Sequence, residues 1–424
     1  MTSRERVTLA LNHKEPDRVP LDLGSSFTTG IMVTTYAKLR RELGVNDRPP
    51  RVNDLLQMLA EMEMPVFEKL GCDVVPLFPR GRFFGVPPEN WKTWTTFDGA
   101  DVLVPGGFRY RVDDDGSLLI SPGGDINRRP SGRMPKDGYY FDIIVRQQPL
   151  DWDHLDPAEF AEQFTVYTDD VLAHLHTTAD SLYRNTDYAI LGSFGGGSLG
   201  DLPLILASDI ENPKGIRNYS DWLVAHITHP EYIKGIFERQ TEVALQNLGL
   251  YHQAVGSKIV AIFISGTDFG TQRQELISTD LYREFYFPFH KRINDWVHQH
   301  TTWKTFYHCC GSIYHLIPHF IEAGVDILNP VQCSAANMEP ARLKKEFGDR
   351  ITFWGGGVDT QKTLPFGGPD EVRAEVAERI RTFAPGGGYV FNSIHNIQAK
   401  TPVENVLAMF EAARATGTYP IAAT

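Results

Sequence analysis

The chain has 424 residues, 42% of them hydrophobic and 22% charged, with a formal net charge of -12. That composition is ordinary for a water-soluble globular protein, and the length allows one decorated barrel or two smaller domains. The negative balance argues against nucleic acid or an anionic membrane as partner. Four cysteines, Cys72, Cys309, Cys310 and Cys333, are too few for a disulfide framework and point to reduced thiols in a cytoplasmic protein.

The N-terminal MTSRERVTLALNHKEPDRVP lacks the apolar core of a signal peptide, and no stretch of about 20 apolar residues predicts a membrane span. Thr2 to Asn12 reads as a short helix with Ser3 as its cap. Arg18 to Leu23 (RVPLDL) reads as an early strand. Asn53 to Leu70 reads as an amphipathic helix, followed by a strand at Cys72 to Phe78. Residues 94–120 alternate apolar and polar around PGG and DDDG, the pattern of β-hairpins. Residues 121–150, rich in Gly, Pro and Arg, read as loop. Phe83, Phe84, Trp91 and Trp94 would line either an apolar pocket or the core of the hairpins.

From about residue 157 long helical patterns alternate with short apolar strands. The strands are Tyr188 to Ser193, Ile259 to Ile264, Trp303 to Tyr307, Asp326 to Pro330, Ile351 to Trp354 and Tyr389 to Ile394. Helices lie at 229–254, 278–299, 312–323, 339–347, 370–383 and 402–416. Repeated β-α units predict a parallel sheet. The expected fold is an α/β (β/α)8 barrel of TIM type. Residues 1–160 form an N-terminal extension with helices and hairpins, and 161–424 form the main part of the barrel. A doubly wound sheet is the alternative.

Polar clusters sit just after the strands: SGTDFGTQ (265–272), HCCGS (308–312), NPVQC (329–333), GGGVDTQ (355–361) and SIHNIQ (393–398). In a parallel barrel these ends converge on one mouth. Side chains two apart on a strand share a face, so an extended run through Cys310 would aim His308 and Cys310 at the barrel axis and Cys309 outward. Gly311 would then open a turn and Ser312 cap the next helix. Imidazole and thiolate together suit zinc, and a catalytic zinc needs a third protein ligand. His395, at the end of the last strand, is the first candidate and Cys333 the second; two polarisable core residues are the alternative reading of His-x-Cys. Asp268 would orient a ligand, accept a proton or complete the metal shell, or else only shape its loop. Gln272, Asn329, Gln332, Asp359 and Gln361 are candidate substrate contacts on the same mouth. No dinucleotide fingerprint, P-loop, nucleophile elbow or HExxH motif is present.

RERVTLALNHKEPDRVPLDLG at the start, and FGDRITFWGGGVDTQKTLPFGGPDEVRAEV with GGGYVFNSIHNIQAKTPVENVLAMFEAA toward the end, resemble the uroporphyrinogen decarboxylase superfamily. The resemblance implies a distorted TIM barrel. It also implies one of two activities: cofactor-free decarboxylation, or zinc-dependent methyl transfer to or from a corrinoid. His308 and Cys310 match the His-x-Cys element of the methyltransferases, and His395 falls where their third ligand, commonly Cys, would lie. Decarboxylases place a His there too, but their arginine-bearing RQAGRY-type segment is not found here. The resemblance therefore favours a corrinoid-dependent methyltransferase with catalytic Asp268, His308, Cys310 and His395. The implied cofactors are Zn2+ and a cobalamin-type corrinoid. With no DxHxxG motif in this chain, the corrinoid would arrive on a partner protein. The small-molecule partner would be a methyl donor or acceptor, with an aromatic methyl ether as the example, and a homodimer is left open. Two alternatives stand. A decarboxylase would need arginines at the mouth, with Arg80, Arg82 and Arg109 as candidates, and a non-catalytic subunit would only bind a corrinoid protein.

Overall fold

The computed structural model describes residues 1–80 and 83–422. Arg82 lies outside them. Seven parallel strands form one sheet, each hydrogen-bonded to its sequence neighbours: β1 (Val74–Leu77), β2 (Ala189–Ser193), β3 (Ala261–Ser265), β4 (Lys304–His308), β5 (Ile327–Asn329), β6 (Thr352–Trp354) and β7 (Tyr389–Val390). The segment 19–23 joins the two edges. Leu21 bridges Phe391 in parallel. Asp22 N donates to Phe391 O at 2.9 Å, Phe391 N to Pro20 O at 2.9 Å, and Asp73 N to Leu21 O at 2.7 Å. The RVPLDL stretch is thus the eighth stave, and the ring of staves is that of a TIM-type barrel.

Period-2 alternation makes the barrel interior. Val74, Leu191, Phe263, Phe306, Ile327, Trp354 and Val390 form one buried cluster, closed from below by Val7 and Leu11 of the helix Ser3–Leu11. Two residues beyond Phe306, Ile327 and Val390 stand His308, Asn329 and Asn392, all buried. The side-chain alternation that fills the lower layer with carbon therefore puts polar groups in the layer above it. The larger apolar cluster lies outside the strands and contains Tyr307, Leu328 and Phe353, the alternate residues of the same strands. The main helices on this outer side include Asp169–Asn185, Pro230–Val255, Phe287–His300, Pro369–Phe383 and Val403–Thr416. No helix among the described residues is long and apolar enough to cross a membrane.

The N-terminal region contributes both staves and additions. Lys92–Thr95 pairs with Asp101–Val104, and Tyr110–Val112 with Leu118–Ile120, as the hairpin pattern predicts. The second hairpin grows to four strands through Gly132–Met134 and Asp142–Ile143, inside the segment expected to be loop. A neighbouring strand edge can recruit a segment whose own composition favours irregular backbone.

Other local expectations are corrected. Residues 53–70 are not one helix: Val52–Asp54 and Leu59–Ala60 pair antiparallel, and only Met64–Leu70 is helical. Asp54 Oδ1 accepts from the amides of Leu56 and Gln57 at 2.8 and 3.0 Å, a side-chain turn that competes with helix; Pro65 then opens the helix that does form. The first helix is capped by Thr2, in a reciprocal box with Glu5, while Ser3 Oγ donates to Asp73. The helix expected over 312–323 spans only Ile317–Glu322. Ser312 does not cap it: its amide donates to Thr271 O at 2.8 Å, and its buried Oγ has no hydrogen-bond partner among the described residues.

Candidate metal centre

Strand β4 ends at His308, two residues earlier than the extended run through Cys310 requires. The ladder continues only as far as the amide of Cys309, which donates to Asn329 O at 2.8 Å. Gly311 follows at φ +87°, where a Cβ would lie 2.5 Å from the backbone carbon of Gly270. A left-handed residue with no room for a side chain must be glycine. This turn swings Cys310 back over its own strand, and Cys310 Sγ stands 3.1 Å from His308 Nε2. Cys309 faces the outer core, where its Sγ accepts from the Phe269 amide at 3.2 Å. The expected division between the two cysteines thus holds, but a turn produces it rather than a strand.

His395 reaches the same place from the loop after β7. Its φ is +68°, and its ring centroid lies 5.0 Å from that of His308 at an interplanar angle of 73°. One ligand atom each from His308, Cys310 and His395 lie within 4.8 Å of one another. Ligand atoms on a tetrahedral zinc stand roughly 3.3–3.8 Å apart, given bonds of about 2.0–2.3 Å, so a small inward adjustment of these three would hold the ion. Cys333 is outside this group; its Sγ turns to Val331 O at 3.2 Å, and burial pushes its thiol up to about 12.

Burial sets the charge states. His308 is pushed down to about 4, chiefly by desolvation and against the raising effect of its bond to Asn329. His395 is pushed down to about 3 by desolvation and then by His308. Both rings are therefore neutral near pH 7, as metal ligands must be. Desolvation, then the nearby Asp268 carboxylate, holds the Cys310 thiol well above its ordinary value. Asp268 is itself raised by burial, yet 48% of its side-chain surface is accessible.

The surrounding contacts hold the mouth together. Asp268 Oδ1 accepts from the Cys310 amide at 2.6 Å and lies 3.7 Å from His308 Nε2. Gln332 Oε1 accepts from the Gly311 amide at 2.8 Å, and its Nε2 donates to Gln272 Oε1 at 2.8 Å. Asn329, the register partner of His308, sets its Oδ1 2.6 Å from His308 Nδ1. Asp359 caps its own turn, accepting from the amides of Gln361 and Lys362 at 2.6 and 3.2 Å, and Gln361 is exposed.

Three further residues belong to the neighbourhood and escaped the sequence reading. Thr28 Oγ1 donates to Asn329 Oδ1 at 3.0 Å. Asp201, raised well above its ordinary value by burial and then by Asp268, acts on Cys310, and Tyr219, raised by burial and by both carboxylates, lies near the same two acids. Thr28 and Asp201 sit in GSSFTTG and GGGSLGD, loops that follow barrel staves, so the rule that located the other clusters applies to them too.

The aromatic set divides. Phe84 is in the core and Trp94 packs on it. Phe83 and Trp91 instead line a cavity of about 280 Å³ with Arg51, Phe78 and Arg80. Phe27 packs against Phe78 at 4.5 Å between centroids, the rings tilted by 30°, and adjoins Thr28. Arg109 is exposed on the hairpin region. Among the described residues, no arginine or lysine donates a hydrogen bond to Asp268, Asn329, Gln332 or His395.

Comparisons with known proteins agree with this architecture. The chain is 25% identical over 304 residues to uroporphyrinogen decarboxylase 2, chloroplastic, of Oryza sativa subsp. japonica, covering 71% of this chain and 70% of that one. It is 24% identical over 203 residues to a methylated-thiol–coenzyme M methyltransferase of Methanosarcina mazei, covering 48% and 49% of the two. The structure superposes on that of a methyltransferase from Methanosarcina mazei with a TM-score of 0.57 at 17% identity, over 98% of this chain and 99% of the other, a likeness of fold. The sequence profile described as uroporphyrinogen decarboxylase (URO-D) matches residues 143–416, a span that holds six of the seven parallel strands and His308, Cys310 and His395. By that match the chain belongs to the uroporphyrinogen decarboxylase family.

Proposed function

We propose that the protein is a zinc-dependent methyltransferase that moves a methyl group between a small donor and a corrinoid carried by a partner protein. The observation that carries this reading is the convergence of His308, Cys310 and His395 within 4.8 Å. A neutral imidazole pair and a thiol form a donor set suited to zinc, and three protein ligands leave one position for substrate. When bound there, zinc supplies Lewis acidity, either stabilising charge on a departing oxygen or holding a thiol as thiolate.

The chain's own groups do the rest. Cys310 would hold the ion as thiolate, its thiol proton passing to solvent. Asp268 fixes the Cys310 backbone and faces the open side of the centre, where it orients the bound methyl donor or receives a proton. Gln272 and Gln332 brace the rim, and the donor enters over them. We propose an aromatic methyl ether as the donor, because a Lewis acid on the ether oxygen stabilises the charge that develops there as the methyl leaves. Decarboxylation of a polycarboxylate substrate would call for cations at the mouth. Among the described residues, Arg80 follows β1 and lines a cavity with Arg51, but no arginine or lysine bonds to Asp268, Asn329, Gln332 or His395.

The test is methyl transfer to free reduced cobalamin by zinc-loaded protein, across methyl ethers, methylamines and methyl thioethers. Turnover of an ether that disappears in Cys310→Ala supports the proposal. Inactivity with every donor, together with decarboxylation of uroporphyrinogen by metal-free protein, would replace it with the second activity of the family.

A further inference from the structure

The two histidines of the centre are held in opposite ways. His395 Nδ1 accepts from the next backbone amide, Asn396 N, at 2.7 Å, so the neutral ring carries its proton on Nε2. His308 Nδ1 faces Asn329 Oδ1 at 2.6 Å. The orientation of that amide is determined by its surroundings. Asn329 Nδ2 donates to Trp354 O at 2.9 Å, and Oδ1 also accepts from Thr28 Oγ1 at 3.0 Å. A flipped amide would set its oxygen against the Trp354 carbonyl, two acceptors facing each other with no water to relieve them, since Asn329 is fully buried.

We propose that Asn329, fixed by Thr28 and the Trp354 carbonyl, is a positioning residue that locks His308 with its proton on Nδ1 and its lone pair on Nε2, facing Cys310. Asn329 would then act through His308 and not on the substrate. A buried donor–acceptor pair of this kind fixes both the tautomer and the ring plane before any ligand arrives. The register of β4 against β5 places the two residues opposite each other, so the lock is built into the barrel wall. Among the described residues no side chain holds His395 in this way, and its Nδ1 is tied to its own backbone, so the neutral ring must turn to present a lone pair to an ion. His308 is thus the preformed half of the centre and His395 the half that adjusts. The consequence for metal rests on the proposed zinc centre; the tautomer does not.

The experiment uses the full chain, metal-free and labelled with 15N-histidine, with His308→Gln to assign the ring. The wild type is expected to show a protonated Nδ1 and an unprotonated Nε2 at His308. Asn329→Leu should abolish that preference, and Asn329→Asp, which keeps an acceptor opposite Nδ1, should retain it. Thr28→Val, in the loop after a separate stave, should weaken it without changing the Asn329 side chain itself. A parallel chelator competition should show zinc held roughly 10–100-fold more weakly by Asn329→Leu than by the wild type. A His308 that carries its proton on Nε2, or an Asn329→Leu protein with unchanged ring signals and unchanged zinc affinity, would overturn the inference. Wild-type protein that takes up no zinc but shows the expected tautomer would instead sink the metal reading and leave the lock standing.

Discussion

The backbone amide of Cys310 donates to Oδ1 of Asp268 across 2.6 Å, and this bond ties together the loops that follow two neighbouring barrel strands. Asp268 is thereby a strut for the thiol as well as a polar group at the mouth. Asp268→Ala should leave the Cys310 loop without its anchor and weaken zinc binding about tenfold, by analogy with other outer partners of metal ligands. Asp268→Asn, which keeps an acceptor oxygen, should lose much less. Equal affinities for the two variants in a chelator titration would deny the strut.

His308→Ala and Cys310→Ala should each abolish stoichiometric zinc, and His395→Ala should weaken it. Cys333→Ser should bind zinc like the wild type, because that thiol turns to Val331 O away from the three. Metal analysis of protein purified without chelator checks all four. Zinc lost from Cys333→Ser and kept by His395→Ala would exchange the roles of the two residues.

Zinc affinity should rise with pH. The Cys310 thiol is held well above its ordinary value by burial and Asp268, so it is protonated in the metal-free protein and its proton must leave when the ion binds. His308, pushed down to about 4, has no proton to lose near neutrality. One proton displaced per ion predicts an apparent affinity that climbs about tenfold per pH unit. A flat profile in competition titrations between pH 6 and 8 would mean that the thiol is not a ligand.

Acid should destabilise the metal-free fold through its buried imidazoles. His308 is pushed down to about 4 and His290 to about 3, both chiefly by desolvation. A histidine whose folded value is depressed contributes stability above its unfolded value, near 6.5. It loses that stability as pH falls toward the folded value. Between about pH 6 and 4 the loss should be on the order of 1 kcal/mol per pH unit for each such ring. Urea unfolding at pH 7 and pH 5 measures it. His290→Phe should flatten the slope by about one such increment.

Gly311→Ala should be costly for its size. Its positive φ alone costs an alanine roughly 1–2 kcal/mol, and the added carbon would strike the backbone of Gly270. Stability should fall by at least that amount, and zinc should be lost with the turn that carries Cys310. An alanine variant with wild-type unfolding and wild-type zinc content would mean that the turn does not set the thiol's position.

The sequence by itself determined all eight staves. Their apolar runs are short and bounded, and the stretch RVPLDL reads as strand before any partner is known. It also determined that His308, Cys310 and His395 stand at or just beyond strand ends, because strand direction and loop order are one-dimensional properties. The helix assigned to residues 53–70 and the cap assigned to Ser312 failed where apolar spacing was ambiguous and a side-chain turn or a distant carbonyl took the backbone's hydrogen bonds. Tertiary structure alone decided that Cys310 returns over its strand by a left-handed glycine, that His395 and not Cys333 faces it, and that Asn329 stands against His308 instead of open to substrate. Those outcomes depend on inter-strand register and on which buried acceptor lies opposite which donor. Neither quantity exists until the staves are side by side.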